Sequence, residues 1–211
     1  MDKFAVNNHP IHELLRRRWS PRAFSSQPVE SDKLLSLFEA ARWSPSAANT
    51  QPWYFIVATQ DDPEEFSKLL AVLTERNQRW AKSVPVLLLA VARRVTDDGH
   101  ENRWASYDLG QSMAHLSIQA TNLGLSVHQM AGLDPARARD AFGIPEGYEA
   151  ITAGAIGYPG EPNDLPEDLR DRELAERSRK ELTEFVFEGA WEKPYAQTGL
   201  EAAGIGPASR N

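Results

Sequence analysis

Arg42-Trp-Ser-Pro-Ser-Ala-Ala-Asn-Thr-Gln-Pro-Trp-Tyr-Phe-Ile-Val57 joins a helical pattern to a strand pattern through a loop of small polar residues. Upstream, Leu34, Leu35, Phe38 and Ala41 recur at helical spacing behind Ser31, a good N-cap residue, and predict a helix over 32–43. Downstream, 53–58 is continuously aromatic and aliphatic, the pattern of a buried strand. Between them, Ser44 to Asn49 is too small and too polar to fill a core. Such a junction can present backbone amides, hydroxyls and a carboxamide to a ligand. An ordinary helix-to-strand loop is the alternative, because Ser, Pro and Asn are common turn formers.

The pattern extends to both sides of this junction. A first helix is predicted over 11–18, stopping before Pro21 because proline disfavours helical geometry in the residue ahead of it. After Asp61-Asp62-Pro63 an amphipathic helix carries Phe66, Leu69, Leu70 and Leu73 and leads through Asn77 and Trp80 to Pro85. Val86 to Ala92 is apolar on both faces, which predicts a strand near the middle of a sheet. The longest periodic stretch, 104–123, places Leu109, Met113, Leu116, Ala120 and Leu123 on one face and closes at Gly124, making it a core or interface helix.

Further along, 125–130 reads as a strand, and Asp134-Pro135 opens a short helix that ends at Gly143. A strand over 149–158 has small residues at Ala153, Gly154, Ala155 and Gly157, which allow close backbone approach. Charged 166–184 predicts a helix followed by a less regular stretch, then a last strand at Phe185-Val-Phe187. From Gly189 onward periodicity is lost. The expected organisation is one domain over 1–195, with 196–211 an extended arm or a disordered tail. The uneven helices suit an α+β sheet layered with helices at least as well as a regular doubly wound fold.

Composition narrows the function classes. A chain of 211 residues with 41% apolar content can bury one sizeable core without covalent staples. It has no cysteine, which excludes disulfides, thiolate metal sites and a cysteine nucleophile, so any redox chemistry needs a bound cofactor. A net charge of -7 and a pI near 5.3 argue against a nucleic-acid surface. No apolar leader opens the chain and the longest apolar run, 84–92, is too short to span a bilayer, so a soluble cytoplasmic protein is expected.

Against that acidic background, Arg16, Arg17, Arg18 and Arg22 crowd one segment together with Trp19 and Ser20. Guanidinium forks suit phosphates and the carbonyls of a ring system, although a solvated helix end would look the same. Arg177-Ser-Arg-Lys180 is a second basic cluster, with a charged helix face as its plain alternative. Gly154-Ala-Ile-Gly-Tyr-Pro-Gly160 lacks dinucleotide-fingerprint spacing, the five His lack metal-ligand spacing, and Ser46 sits in no nucleophile elbow.

Read in order, R-W-S-P-R-A-F, S-P-S-A-A-N-T-Q-P-W-Y-F, A-G-L-D-P, G-A-I-G-Y-P and R-S-R-K resemble the FMN-dependent nitroreductase family over about residues 10 to 195. The resemblance implies an α+β fold, a mostly antiparallel sheet flanked by helices on both faces. It further implies an intertwined homodimer with FMN in each interface, in which 104–123 is the central dimer helix. Arg18, Trp19, Ser20 and Arg22 would hold FMN from one protomer, with Arg177 and Arg179 adding to the phosphate site. Asn77 would touch the flavin edge, and Gln129, Met130, Ala131 and Gly132 would face the ring near N5.

Pro45, Ser46, Ala47 and Asn49 would come from the other protomer. The activity implied is hydride transfer from NAD(P)H to nitroaromatics, quinones or similar acceptors, with no obligatory protein acid or base. Dehalogenation, reduced-flavin cleavage or a non-catalytic FMN-binding dimer are the alternatives. Trp19 stands where Arg or His is frequent and Trp80 where some members carry Lys, so each removes a positive charge expected near the cofactor.

Overall fold

Val86 to Ala92 becomes the centre of a sheet because none of its side chains reaches water. The computed structural model describes residues 3–199 and places this segment in the second of four strands. These are β1 (Trp53–Thr59), β2 (Val86–Arg93), β3 (Ser126–Met130) and β4 (Tyr148–Gly157). Their order is β1-β2-β4-β3, and every pairing is antiparallel. Alternate residues of β2 enter opposite cores: Leu87, Leu89 and Val91 on one face, Val86, Leu88, Ala90 and Ala92 on the other. Each fully buried Leu contributes roughly 1.5–3 kcal/mol of transfer free energy.

One face is covered by α2 (Ser31–Arg42) and α5 (Ala105–Asn122), through Leu37, Ala41, Leu109, Met113, Leu116 and Ala120. The other is covered by α3 (Pro63–Ala71), α4 (Glu75–Ala81), α6 (Pro135–Phe142) and α7 (Glu167–Leu174). The small residues of β4 permit this packing. A Cβ on Gly157 would fall 2.8 Å from a ring carbon of Pro85. The β2–β4 register passes from Ala90–Thr152 to Val91–Ala150, leaving Ile151 as a bulge.

Local punctuation matches the chemistry of the termini. Asp62 caps α3 through the Glu65 amide at 3.2 Å, and Asp134 caps α6 through the Ala136 and Arg137 amides, each at 3.0 Å. Gly143 follows α6 in the left-handed region at φ 60, and Gly124 follows the last residues of α5 at φ 75. Ser31 departs from expectation: it is the first helical residue of α2, Glu30 occupies the cap position, and neither side chain caps. Glu30 instead accepts from Tyr158, which ties the start of α2 to the end of β4.

The helix expected to carry Phe66, Leu69, Leu70 and Leu73 stops at Ala71. Leu73 leaves the helix and forms a bridge with Leu133, so α3 and α4 are separate. Residues 3–17 and 176–199 group apart from 18–175 as a second compact unit. Its one α-helix among the described residues, α1 (Glu13–Arg17), buries no side chain. The expected strand at 185–187 does not form: Phe187 makes a single bridge to Pro194 across a turn, and Phe185 is exposed. A run with no strand to pair against cannot become one. Of the expected tail, 196–199 forms a 3-10 turn, and 200–211 lies outside the described residues.

Candidate functional site

Pro21 to Phe24 carries no regular structure, yet it is held at almost every residue. The half-buried His128 ring on β3 bonds through Nδ1 to the Pro21 carbonyl at 2.7 Å. Glu173, fully buried on α7, accepts from the amides of Arg22 at 2.8 Å and Ala23 at 3.2 Å. Phe24 bridges Pro159, and the Gly160 amide donates to the Ala23 carbonyl at 2.9 Å. A Cβ on Gly160 would come within 2.5 Å of the Phe24 backbone, so only glycine permits this approach.

The pinned segment places Arg22 in the wall of a cavity of about 260 Å³. α4 and the residue before it contribute Thr74, Arg76, Asn77 and Trp80, and the end of β3 contributes Gln129 to Gly132. The two walls are joined at one oxygen: the Gly132 carbonyl accepts from the Thr74 amide and from Asn77 Nδ2, both at 3.0 Å. The Ala131 and Gly132 amides donate to no backbone carbonyl among the described residues. Trp80 is buried, lies near-parallel to Phe24 at 6.2 Å, and meets His128 at 4.6 Å between ring centroids.

Burial, helped by the nearby Arg22 charge, lowers the His128 pKa to about 4 against the opposing bonds to the Pro21 and Ser20 backbone. The ring is therefore neutral near pH 7, and its Nδ1–H donates to Pro21. Both permanently charged residues in this wall, Arg22 and Arg76, are cationic, and no described carboxylate lines it.

The Ser44 to Gln51 loop sits elsewhere in the same unit, against α5. Asp108, buried in the first turn of α5, accepts from the Ala47 amide at 3.0 Å, and Ser44 Oγ meets His115 Nδ1 at 2.6 Å. Ala48, Asn49 and Gln51 all take positive φ, at 49, 56 and 46, a conformation that costs a non-glycine residue on the order of 1 kcal/mol. Asn49 remains exposed.

The model described as "Nitroreductase family" matches residues 15–158. The chain belongs to the nitroreductase family. It is 35% identical to a crystal structure described as an oxidoreductase containing FMN, with a TM-score of 0.82, covering 88% of this chain and 95% of that one. A Stenotrophomonas maltophilia protein provisionally named as an NADH dehydrogenase/NAD(P)H nitroreductase is 27% identical, over 76% of this chain and 90% of its own. A Rhodospirillum rubrum 5,6-dimethylbenzimidazole synthase is 25% identical, over 74% and 85% respectively.

Of the residues expected to serve a nitroreductase site, the structure gathers Arg22, Asn77, Gln129, Met130, Ala131 and Gly132 around the cavity. Arg18, Trp19 and Ser20 lead into Pro21 half-buried, with Arg18 Nη1 donating to Ser20 Oγ at 3.2 Å. Pro45, Ser46, Ala47 and Asn49 do not line the cavity of their own chain. Arg177 and Arg179 belong to the second unit. There Arg177 donates to the carbonyls of Lys3 at 2.6 Å and Arg16 at 3.1 Å, and Arg179 to that of Ser178 at 2.7 Å.

Sequence reasoning missed Thr74, Arg76, His128, Leu169 and Glu173. A lone histidine in a strand and one glutamate in the charged run 167–176 give no local signal. Arg76 is the exception: it sits one residue before Asn77, which was singled out.

Proposed function

We propose that this nitroreductase-family protein binds FMN as a homodimer and transfers a hydride from NAD(P)H to small oxidised aromatics such as nitroaromatics or quinones. The observation that carries this reading is the cavity wall, which Arg22, Asn77, Ala131 and Gly132 line together with no described carboxylate, the Ala131 and Gly132 amides donating to no described backbone carbonyl. Such a donor set suits an electron-rich planar ring with carbonyl oxygens. FMN, when bound, supplies the ring that takes up a hydride at N5 and yields it again. Arg22 serves the pyrimidine carbonyls, Asn77 the ring edge, and Gln129, Met130, Ala131 and Gly132 the face near N5.

Arg18, Trp19 and Ser20 extend the site toward the phosphate. At about 260 Å³ the cavity is smaller than a usual cofactor pocket of ~300–1,000 Å³. A second copy supplies the remainder through Pro45, Ser46, Ala47 and Asn49. Reductant and acceptor use the same opening in turn, giving ping-pong kinetics without an obligatory protein acid or base. No described helix is long and apolar enough to cross a membrane, and the proposed setting is the cytoplasm.

The purified protein is expected to be yellow, or to become so with added FMN, and to bleach when NADPH or NADH is added anaerobically. A colourless protein that FMN cannot reconstitute would sink the reading. Reduced-flavin cleavage, one of the alternatives that the family resemblance implies, is a second reading, kept because a relative bears the name of a synthase, not of a nitroreductase. Recovery of intact FMN after many turnovers excludes it.

A further inference from the structure

Within the cavity wall the two guanidiniums differ in setting. Arg22 belongs to the pinned segment that serves the cofactor, whereas Arg76 is an exposed residue of the first turn of α4. The base of Arg76 is nevertheless fixed, because its neighbours Thr74 and Asn77 are both bonded to the Gly132 carbonyl. Its head is not engaged: the Arg76 guanidinium makes no hydrogen bond or ion pair with a described residue. One turn on, Arg79 is neutralised by Asp168 through bonds of 2.9 and 2.7 Å. In a chain of net charge -7, a cation kept unpaired over a carboxylate-free cavity is an electrostatic feature in its own right.

We infer that Arg76 forms an anion subsite at the mouth of the cavity and selects ligands that carry a phosphate or carboxylate in addition to their reactive ring. Asn77 and Thr74 hold the wall from which Arg76 reaches, and the neutral His128 adds no competing charge. The anion has two possible sources, the 2′-phosphate of NADPH or a carboxylate on the aromatic acceptor. The inference rests on the same cavity receiving ligands that the flavin reading invokes.

The test is calorimetric titration of the full-length protein in saturating FMN with two matched pairs, NADP⁺ against NAD⁺ and 4-nitrobenzoate against 4-nitrobenzamide. The parent is expected to prefer the member with the additional anionic group, NADP⁺ or 4-nitrobenzoate, in at least one pair. Arg76→Ala should reduce that preference on the order of tenfold, as loss of a charge-assisted bond does, while Arg76→Lys should retain most of it. Loss confined to the nucleotide pair assigns the subsite to the reductant's phosphate, and loss confined to the nitro pair assigns it to the acceptor's carboxylate.

No anionic preference in the parent, or a preference that Arg76→Ala changes less than twofold in both pairs, overturns the inference. Binding is read without turnover. A protein that prefers anions yet oxidises no NAD(P)H therefore disproves the enzyme reading alone.

Discussion

At the scale of single residues, His128 ties acid stability to the geometry of the site. Above pH 6.5 the ring is neutral in folded and unfolded chains alike. Between 6.5 and about 4 the unfolded chain takes up a proton that the folded one refuses. Stability is therefore expected to fall as pH drops through that window, by roughly 3 kcal/mol in all. Urea unfolding at a series of pH values should show the decline, and His128→Phe should flatten it; an unchanged slope in that variant would remove His128 as its cause. Gly132 is a second sensitive position, since an added Cβ would sit 2.7 Å from both Asn77 Nδ2 and Thr74 Oγ1. Gly132→Ala should push Asn77 off the carbonyl it bonds and weaken FMN binding more than it lowers the melting temperature, a comparison made by fluorescence titration and thermal unfolding. Equal small effects on both would mean that the wall adapts.

At the scale of elements, most of the fold was legible because its signals are local. Asp134-Pro135 and Gly143 bracket α6 as their chemistry requires, and the uninterrupted apolar run of β2 announced a strand covered on both faces. Asp134→Ala should cost about 1 kcal/mol, read as a lowered urea midpoint at unchanged slope, because the amides of Ala136 and Arg137 lose their acceptor. Elements were misread where tertiary partners decide. Leu73 left its helix to pair with Leu133, and Phe185-Val-Phe187, though strand-like in composition, had only a turn to pair with. Of the residues lining the cavity, Arg22 was marked out by its residue type in a basic cluster of an acidic chain, and Asn77 by the family resemblance. The site was not legible at Glu173, whose role depends on a fold that brings it to amides 151 and 150 residues away.

At the scale of the whole molecule, the proposed homodimer would make cofactor retention depend on assembly: the loop of Pro45, Ser46, Ala47 and Asn49 lies outside the described Arg22 cavity and is proposed to cover FMN in the partner. Dilution through the dimer dissociation constant should release FMN in step with loss of the dimer, followed by flavin fluorescence beside sedimentation. Full retention by a monomeric variant would refute the role in trans. The strained stretch from Ala48 to Gln51 has a kinetic corollary. Asp108 and His115 already hold the loop in shape within a lone chain, so a partner meets a finished surface and pairing need not wait for a segment to order. Association should then follow a single second-order phase in the range of about 10⁵–10⁷ M⁻¹s⁻¹ typical of rigid docking. Releasing the loop with Asp108→Ala should add a slower, concentration-independent step.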